Sequence, residues 1–308
     1  MTEDWGHVFH GEANIDFWSP RVAEVLREQG ITKLRLRGWK HAGFEPLLPF
    51  REQLVRIYHE IHADDDLPDP AALGQLHRLH ELSLQYGVET IDFSGLQELE
   101  IQLKGVGKVP SLSFLRGLEA LERFVLIDAT VEDGDLAVLL ELPALKRVFV
   151  QKRRHYTHDG HDVQAALTAK WTRGLGAFAN AAADDWIALL WQRKPIAWLG
   201  TTVRDVLDYG PENDVPAIAG QFAVAAAEVI ARLRGRGDGT PAPEPITRWL
   251  DEQAVEPPPV IVTNAQAALE RLLTEPSGLL RLWEERGQAD AWKAAVADLK
   301  RRVAEPET

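Results

Sequence analysis

Three histidines, His155, His158 and His161, recur at every third position in the run KRRHYTHDGHD, and Asp162 follows the last of them. Imidazole nitrogens and carboxylate oxygens are ligands for zinc, nickel or copper, so one hypothesis is a metal-dependent hydrolase that uses these four side chains. A spacing of three places the rings on one face only in a helix, whereas the Asp-Gly pair within the run favours a turn. We therefore prefer the alternative that the run is a charged connector between two domains.

The composition excludes several functions before any other motif is considered. The chain has 308 residues, enough for two domains, with a formal net charge of −13 and no cysteine, which rules out disulfides, thiol catalysis and classical zinc fingers. No apolar run is long enough to cross a bilayer, and the segment MTEDWGHVFHGEAN lacks the apolar core of a secretion signal, so we expect a cytoplasmic protein. An acidic surface repels phosphate backbones and attracts basic proteins. We expect a basic protein partner, and neither a nucleic acid, a membrane nor a cofactor.

One pattern recurs in the first half of the chain: an apolar residue, two others, an apolar residue, one other and an apolar residue. It occurs at Ile31-Leu34-Leu36, Leu79-Leu82-Leu84, Leu96-Leu99-Ile101, Leu121-Phe124-Leu126 and Leu145-Val148-Val150, and REQLVRIYHEIH supplies a degenerate copy with Leu54 and Ile57 in register. A period of about 20–29 residues with this core is typical of leucine-rich repeats. The first half therefore resembles an irregular leucine-rich repeat domain, although the asparagine that usually follows each strand is missing.

This resemblance implies an α/β solenoid, in which each repeat adds one short strand to a parallel sheet. Ser19, Pro20 and Gly30 have the positions of an N-cap, a first helical residue and a stop, so a helix should cap the first repeat. The residue between the last two apolar positions of each repeat would face the concave side, and an apolar patch with a charged rim there would suit a protein partner. The residues predicted to bind that partner are Arg35, Tyr58, Glu100, Arg123, Val125, Ile127, Arg147 and Phe149.

The second half changes to helical spacing and should form an all-α domain. The runs with this spacing are DVQAALTAKW, NAAADDWIALLWQR, VPAIAGQFAVAAAEVIARLRG, NAQAALERLL and SGLLRLWEERGQADAWKAAVADLKRRV. Seven of the ten tryptophans lie after Asp162, where they can fill a small helical core. We predict a repeat domain over residues 1–155, a connector over 156–165 and a helical domain over 166–308.

The run GLGAFANAAADDW is the most distinctive stretch of this helical half. Its pattern consists of Gly174, Gly176, Phe178, Asn180, Ala183, Asp185 and Trp186. It resembles the start of a bacterial family called domain of unknown function 4259, and AAAEVIA, LWEE and WKAAVADLKRRV continue the resemblance in order over residues 170–303. The family's usual aspartate after the asparagine is replaced by Ala181, which argues against a catalytic role at that position. Asn180 itself is well placed to cap the helix that follows.

Glu228 is the most unusual ionisable residue of the helical half. It lies in QFAVAAAEVIARL, where nearly every neighbour is small or apolar, so its carboxylate needs a partner or a raised pKa. We expect it to join two helices by hydrogen bonds from a tryptophan ring or from the turn at Gly174–Asn180. Asn180, Asp185 and Glu228 could instead bind a small ligand, because perturbed buried carboxylates also occur at functional sites.

The preferred hypothesis is a non-enzymatic protein-interaction protein that binds a basic partner through its concave face. Its narrower form is a protein of the immunity or inhibitory type. Two alternatives stay open. One is the metal-dependent hydrolase at the histidine cluster. The other is a ligand-gated regulatory scaffold, in which a small ligand bound near Glu228 controls partner binding by the repeat domain.

Overall fold

The computed structural model describes residues 6–304 apart from 10, 38, 61–66, 85, 87–89, 94–98, 194 and 254. The chain divides into two compact units, residues 1–164 and 165–308. The first unit is α/β and is built on one sheet, and the second is helical, as the sequence predicts. In the part of the chain described, no helix combines the length and the apolar character needed to cross a bilayer.

The sheet of the first unit has eight strands in the order of the chain. The first two strands form an antiparallel hairpin, and every later strand pairs in parallel with the one before it. The strands are β1 (Gly6–Phe9), β2 (Glu12–Ile15), β3 (Lys33–Leu36), β4 (Arg56–His59), β5 (Glu81–Leu84), β6 (Leu99–Val109), β7 (Leu121–Val131) and β8 (Arg147–Val150).

Successive side chains of a strand point to opposite faces of a sheet. The apolar side chains of these strands share one face, and that face is buried. The apolar positions of the repeat pattern fill that core: Leu34 and Leu36 of β3, and Phe124 and Leu126 of β7, are at most 1% exposed. We call the opposite face, which carries Arg35, Tyr58 and Phe149, the open face. The strands expected at β3 to β8 are therefore confirmed, with Leu96 of the pattern lying outside the described residues.

The sequence misplaces one residue of the open face. Glu100 was expected in line with Tyr58 and Val125, but the register pairs Gln102 with Val125 and Glu100 with Arg123. The repeat pattern aligns Leu99 and Ile101 with Phe124 and Leu126, whereas the register aligns Ile101 and Leu103 with them. Glu100 thus lies on the expected face, one row nearer the strand starts.

The segments that connect the strands are short and partly helical. Helix α1 (Pro20–Glu28) begins after Ser19, whose hydroxyl accepts a hydrogen bond from the amide of Val22, and Gly30 follows it with a φ of 61°, as the sequence predicts. The hairpin of β1 and β2, which precedes this helix, was not predicted. Among the described residues, the other connecting elements include 3₁₀ helices at Glu45–Phe50, Ala71–Gln75 and Ser113–Leu115, and α2 (Val138–Glu141).

The remaining helices begin near the end of the first unit and continue through the second. Helix α6 is central, because its run of alanines is buried and it packs against α4, α5, α7, α8, α9 and α10. Helices α5 and α7 were not predicted. The bounds are α3 (Gly160–Trp171), α4 (Ala181–Arg193), α5 (Ala197–Asp208), α6 (Ala217–Leu233), α7 (Glu244–Gln253), α8 (Pro259–Leu272), α9 (Gly278–Glu285) and α10 (Ala289–Ala304).

Candidate functional site

The histidine run does not assemble into a metal-binding group. His155 Nε2 lies 2.8 Å from the carbonyl oxygen of Val131, and because a carbonyl only accepts, that nitrogen carries the proton. His158 Nδ1 contacts the hydroxyl of Thr157 at 3.1 Å, while His161 lies in the first turn of α3. Asp162 also lies in that turn and is exposed. Across the described ranges, no three histidine, aspartate or glutamate side chains are grouped so that they could hold a metal ion.

Hydrogen bonds join the same segment to the last residue of β7 and to the turn that follows it. The hydroxyl of Tyr156 accepts from the amide of Val131 at 3.0 Å, and the amide of Thr157 donates to the carbonyl of Gly134 at 2.9 Å. Lys152 and Asp159 form an ion pair at 2.5 Å. The run is therefore an ordered continuation of the sheet rather than a loose linker.

Helix α3 covers the outer edge of β8. Gln164 accepts from the amide of Val148 at 2.8 Å and donates to the carbonyl of Lys146 at 3.3 Å. A Cβ on Gly160 would lie only 2.4 Å from the carbonyl oxygen of Val150, so the helix start approaches the strand backbone closely. Because these backbone groups are occupied, they are not available to pair with an added strand.

Two rows of side chains cross the open face in register. The charged row, nearer the strand starts, consists of Glu12, Lys33, Arg56, Glu81, Glu100, Arg123 and Arg147. The central row consists of Asn14, Arg35, Tyr58, Ser83, Gln102, Val125 and Phe149. Seven of the eight side chains predicted to bind a partner belong to these two rows, and Ile127 follows Val125 on β7.

The middle of the charged row places two carboxylates side by side between two arginines. Arg56 pairs with Glu81, and Arg123 Nε lies 3.5 Å from a Glu100 oxygen. Gln102 joins the two acids by donating to Glu100 at 2.6 Å and to Glu81 at 3.3 Å. Burial raises the pKa of Glu100, Arg123 opposes that shift, and the charge of Glu81 adds to it. Each of the two acids is thus engaged by an arginine and by the side-chain amide of Gln102.

The side chains of the central row are polar or charged at the β2–β3 end of the sheet and apolar at the β7–β8 end. At its β3–β4 end, the guanidinium carbon of Arg35 lies 4.5 Å from the centroid of the Tyr58 ring, a cation–π contact. At its other end, Val125 and Ile127 are half-buried and Phe149 is 54% exposed. A large aromatic side chain that is left exposed next to two aliphatic ones can anchor a partner side chain.

In the second unit, Asn180 closes a short loop and caps α4. Its side-chain oxygen accepts from the amide of Ala183 at 2.8 Å, which confirms the predicted N-cap. Thr172 and Asn180 form an antiparallel bridge, and the amide of Arg173 donates to Ala179 at 2.7 Å. Asp185 is half-buried on α4.

Glu228 takes arginines, not a tryptophan or the glycine loop, as its partners. One carboxylate oxygen accepts from Arg232 Nε and the other from Arg302 Nη2, both at 2.8 Å, while the side chain is 1% exposed. The amide of Asp238 also donates to Glu228, at 3.3 Å. The expected link between two helices is present, since these bonds join α6 to α10, but its partners were predicted wrongly. The Arg232–Glu228 spacing of four residues on one helix was a sequence signal for this pair.

A shallow cavity of about 240 Å³ lies between α4 and α7. Its lining residues are Asp184, Ile187, Ala188, Glu244, Pro245 and Arg248. The acids of its rim already have partners, since Asp184 pairs with Arg173 and Glu244 pairs with Arg248. The cavity thus offers an apolar floor without a convergent polar group.

Comparison with known proteins bears on the second unit. Residues 172–295 match a family described as Domain of unknown function (DUF4259). The resemblance predicted from the glycine loop and the helix motifs is confirmed over this DUF4259 segment, which includes the capped helix α4, Glu228 and Arg232 but ends before Arg302. No curated protein and no solved structure matches the chain.

Proposed function

We propose that this chain is a non-enzymatic protein-interaction protein, whose first unit is an irregular leucine-rich repeat domain. The sequential order of the strands, their parallel pairing from β2 to β8 and the buried repeat positions support that description. Repeat sheets of this kind offer a broad face, and each repeat contributes one position to it.

The exposure of Phe149 is the observation that carries this proposal. At 54% exposed, Phe149 lies on the sheet face beside Val125, and burying it against a partner would remove apolar surface from water. Because Gln164 occupies the β8 edge, we place the partner on the open face.

The charge of the protein supports a partner with a basic surface. A net charge of −13 attracts basic proteins at long range and raises their association rate. An immunity-type or inhibitory protein, which masks a basic toxin or effector, is the narrower form of this proposal.

Neither alternative receives comparable support. A metal-dependent hydrolase needs His155, His158, His161 and Asp162 to converge, and the carbonyl of Val131 engages one of these rings instead. A ligand gate at Glu228 needs an available carboxylate, whereas both oxygens of Glu228 already bind arginines.

The test is a pull-down with tagged full-length protein over a series of salt concentrations. We expect a stoichiometric partner that is released as salt rises, and that is lost from Phe149→Asp and Tyr58→Asp but kept by Val260→Asp. Val260 is a matched control, because it is an apolar residue of α8 that is 63% exposed. A partner retained equally by all three variants would show that the open face is not the binding surface.

A further inference from the structure

The strand β8 and the segment after it are basic in a protein that is otherwise acidic. Residues 142–158 contain no aspartate or glutamate, and the cations of this stretch are Lys146, Arg147, Lys152, Arg153 and Arg154. These five cations lie within nine residues, and Phe149 lies among them. The sequence alone carried this signal, which an average over the whole chain conceals.

Arg153 and Arg154 are the cations of this stretch with capacity for a new anion. Both are exposed, and in the described part of the chain no carboxylate lies within ion-pair distance of either one. Arg153 contacts only neutral groups, including the hydroxyl of Thr130 at 3.4 Å. In contrast, Lys146 pairs with Glu122, and Lys152 pairs with Asp159.

Cations lie on both sides of Phe149 along the direction of β8. Arg147 precedes Phe149 by two residues on the same face, a separation of roughly 7 Å along a strand. Arg153 follows the strand and lies next to Thr130, the penultimate residue of β7. A partner side chain that packs on Phe149 and Val125 therefore has a cation within reach in either direction along β8.

We infer that this end of the open face binds an acidic, apolar segment of a partner protein: an aromatic or aliphatic anchor with a carboxylate about four residues away, the spacing from Phe149 to Arg153. The inference rests on the proposed function and refines it. The net charge of the chain attracts a partner that is basic overall, while the segment seated at β8 carries carboxylates. Fully paired cations would gain little from such a segment, but Arg153 and Arg154 gain new charge-assisted hydrogen bonds.

The experiment is a peptide-display selection on the immobilised full-length protein, followed by fluorescence anisotropy with the enriched peptides. Enriched sequences should place Asp or Glu about four residues from Phe, Leu or Trp, the spacing from Phe149 to Arg153. The double variant Arg153→Glu/Arg154→Glu should bind those peptides about tenfold more weakly, because it reverses two charges at the contact. The control double variant Arg51→Glu/Arg204→Glu changes the net charge equally, at side chains that are 59% and 71% exposed, and should keep the wild-type affinity.

The outcomes separate this inference from the proposed function. Enriched peptides that depend on Phe149 but carry no acid, or that bind the Arg153/Arg154 variant as tightly as wild type, would overturn the inference and leave the interaction role intact. A selection in which no peptide depends on any open-face residue would overturn both. A labelled single-stranded oligonucleotide that binds through Arg153 and Arg154 more tightly than the acidic peptides would also overturn the inference, in favour of nucleic acid.

Discussion

Arg302 of α10 and Glu228 of α6 form a buried ion pair, with Nη2 2.8 Å from Oε2 and the glutamate side chain 1% exposed. Arg232 occupies the other oxygen at the same distance. Without Glu228, the two largely buried guanidinium groups would keep one carboxylate each, Asp238 for Arg232 and Asp298 for Arg302, and loss of one partner from a buried pair costs about 3–5 kcal/mol. We therefore expect Glu228→Gln to lower the free energy of unfolding by about 3 kcal/mol, measured by urea denaturation of the full chain with tryptophan fluorescence.

The matched control is Glu244→Gln, which removes an exposed pair between Glu244 and Arg248 on one helix. Exposed pairs of this kind contribute at most about 1 kcal/mol. If both variants lose equally little stability, Glu228 is not a structural residue, and the ligand-gated alternative regains its support.

Asp298 should make stability depend on pH at the acidic end. The hydrogen bond from Arg302 is the main cause that holds the pKa of Asp298 below its ordinary value of 3.8, and Arg301 adds to it. A lowered pKa in the folded state stabilises the protein above pH 3.8, and that contribution is lost as the pH falls through the lowered value. We expect the Tm of wild type to fall more steeply below about pH 4 than that of Asp298→Asn. Parallel Tm curves for the two proteins would contradict this assignment.

The sequence predicts the strands well because each one buries two alternating apolar residues. It fails at Glu100, because Leu99, Ile101 and Leu103 all alternate and the pattern cannot show which pair continues the row. Only the pairing of Gln102 with Val125 decides this. The register of a strand is a property of its neighbours, so one strand alone does not specify it.

Contacts between distant residues also determine features of the helices that the local sequence does not predict. Helix α5 carries a glycine, two adjacent threonines and two valines, which are weak helix formers, and it is stabilised by packing against α6 and α8. The partner of Glu228 on α10 lies 74 positions away in the chain, so no local pattern could name Arg302. The face on which the side chains of the strands lie could be predicted because the apolar pattern alternates along each strand, whereas the Glu228 network depends on tertiary contacts.

Gly160 is expected to be required where α3 meets β8. Its φ is not in the left-handed region, but an added Cβ would lie 2.4 Å from the carbonyl oxygen of Val150. Gly160→Ala should therefore force the helix start away from the strand and cost roughly 1–3 kcal/mol, as overpacking does. Urea denaturation measures this loss.

Gly176→Ala is the control for that substitution. An added Cβ there would meet only the Cβ of Ala179, at 3.7 Å, which is ordinary contact. A glycine replaced at a compatible position usually leaves stability unchanged or raises it by about 0.4–1 kcal/mol. Equal effects of Gly160→Ala and Gly176→Ala would show that the approach of α3 to β8 is not sterically limited.

The histidine run should respond to substitution through Val131 and not through a metal ion. His155→Ala removes the donor to the carbonyl of Val131, so we expect it to cost about 0.5–1.5 kcal/mol. Zinc chloride added to wild type should leave the Tm unchanged, whereas an ion at 100 times its Kd would stabilise the fold by about 2.7 kcal/mol. Differential scanning fluorimetry of wild type, His155→Ala and His161→Ala with and without zinc measures both effects. A Tm that zinc raises in wild type but not in His161→Ala would restore the metal site, because His161 makes no contact with Val131 that could explain the difference.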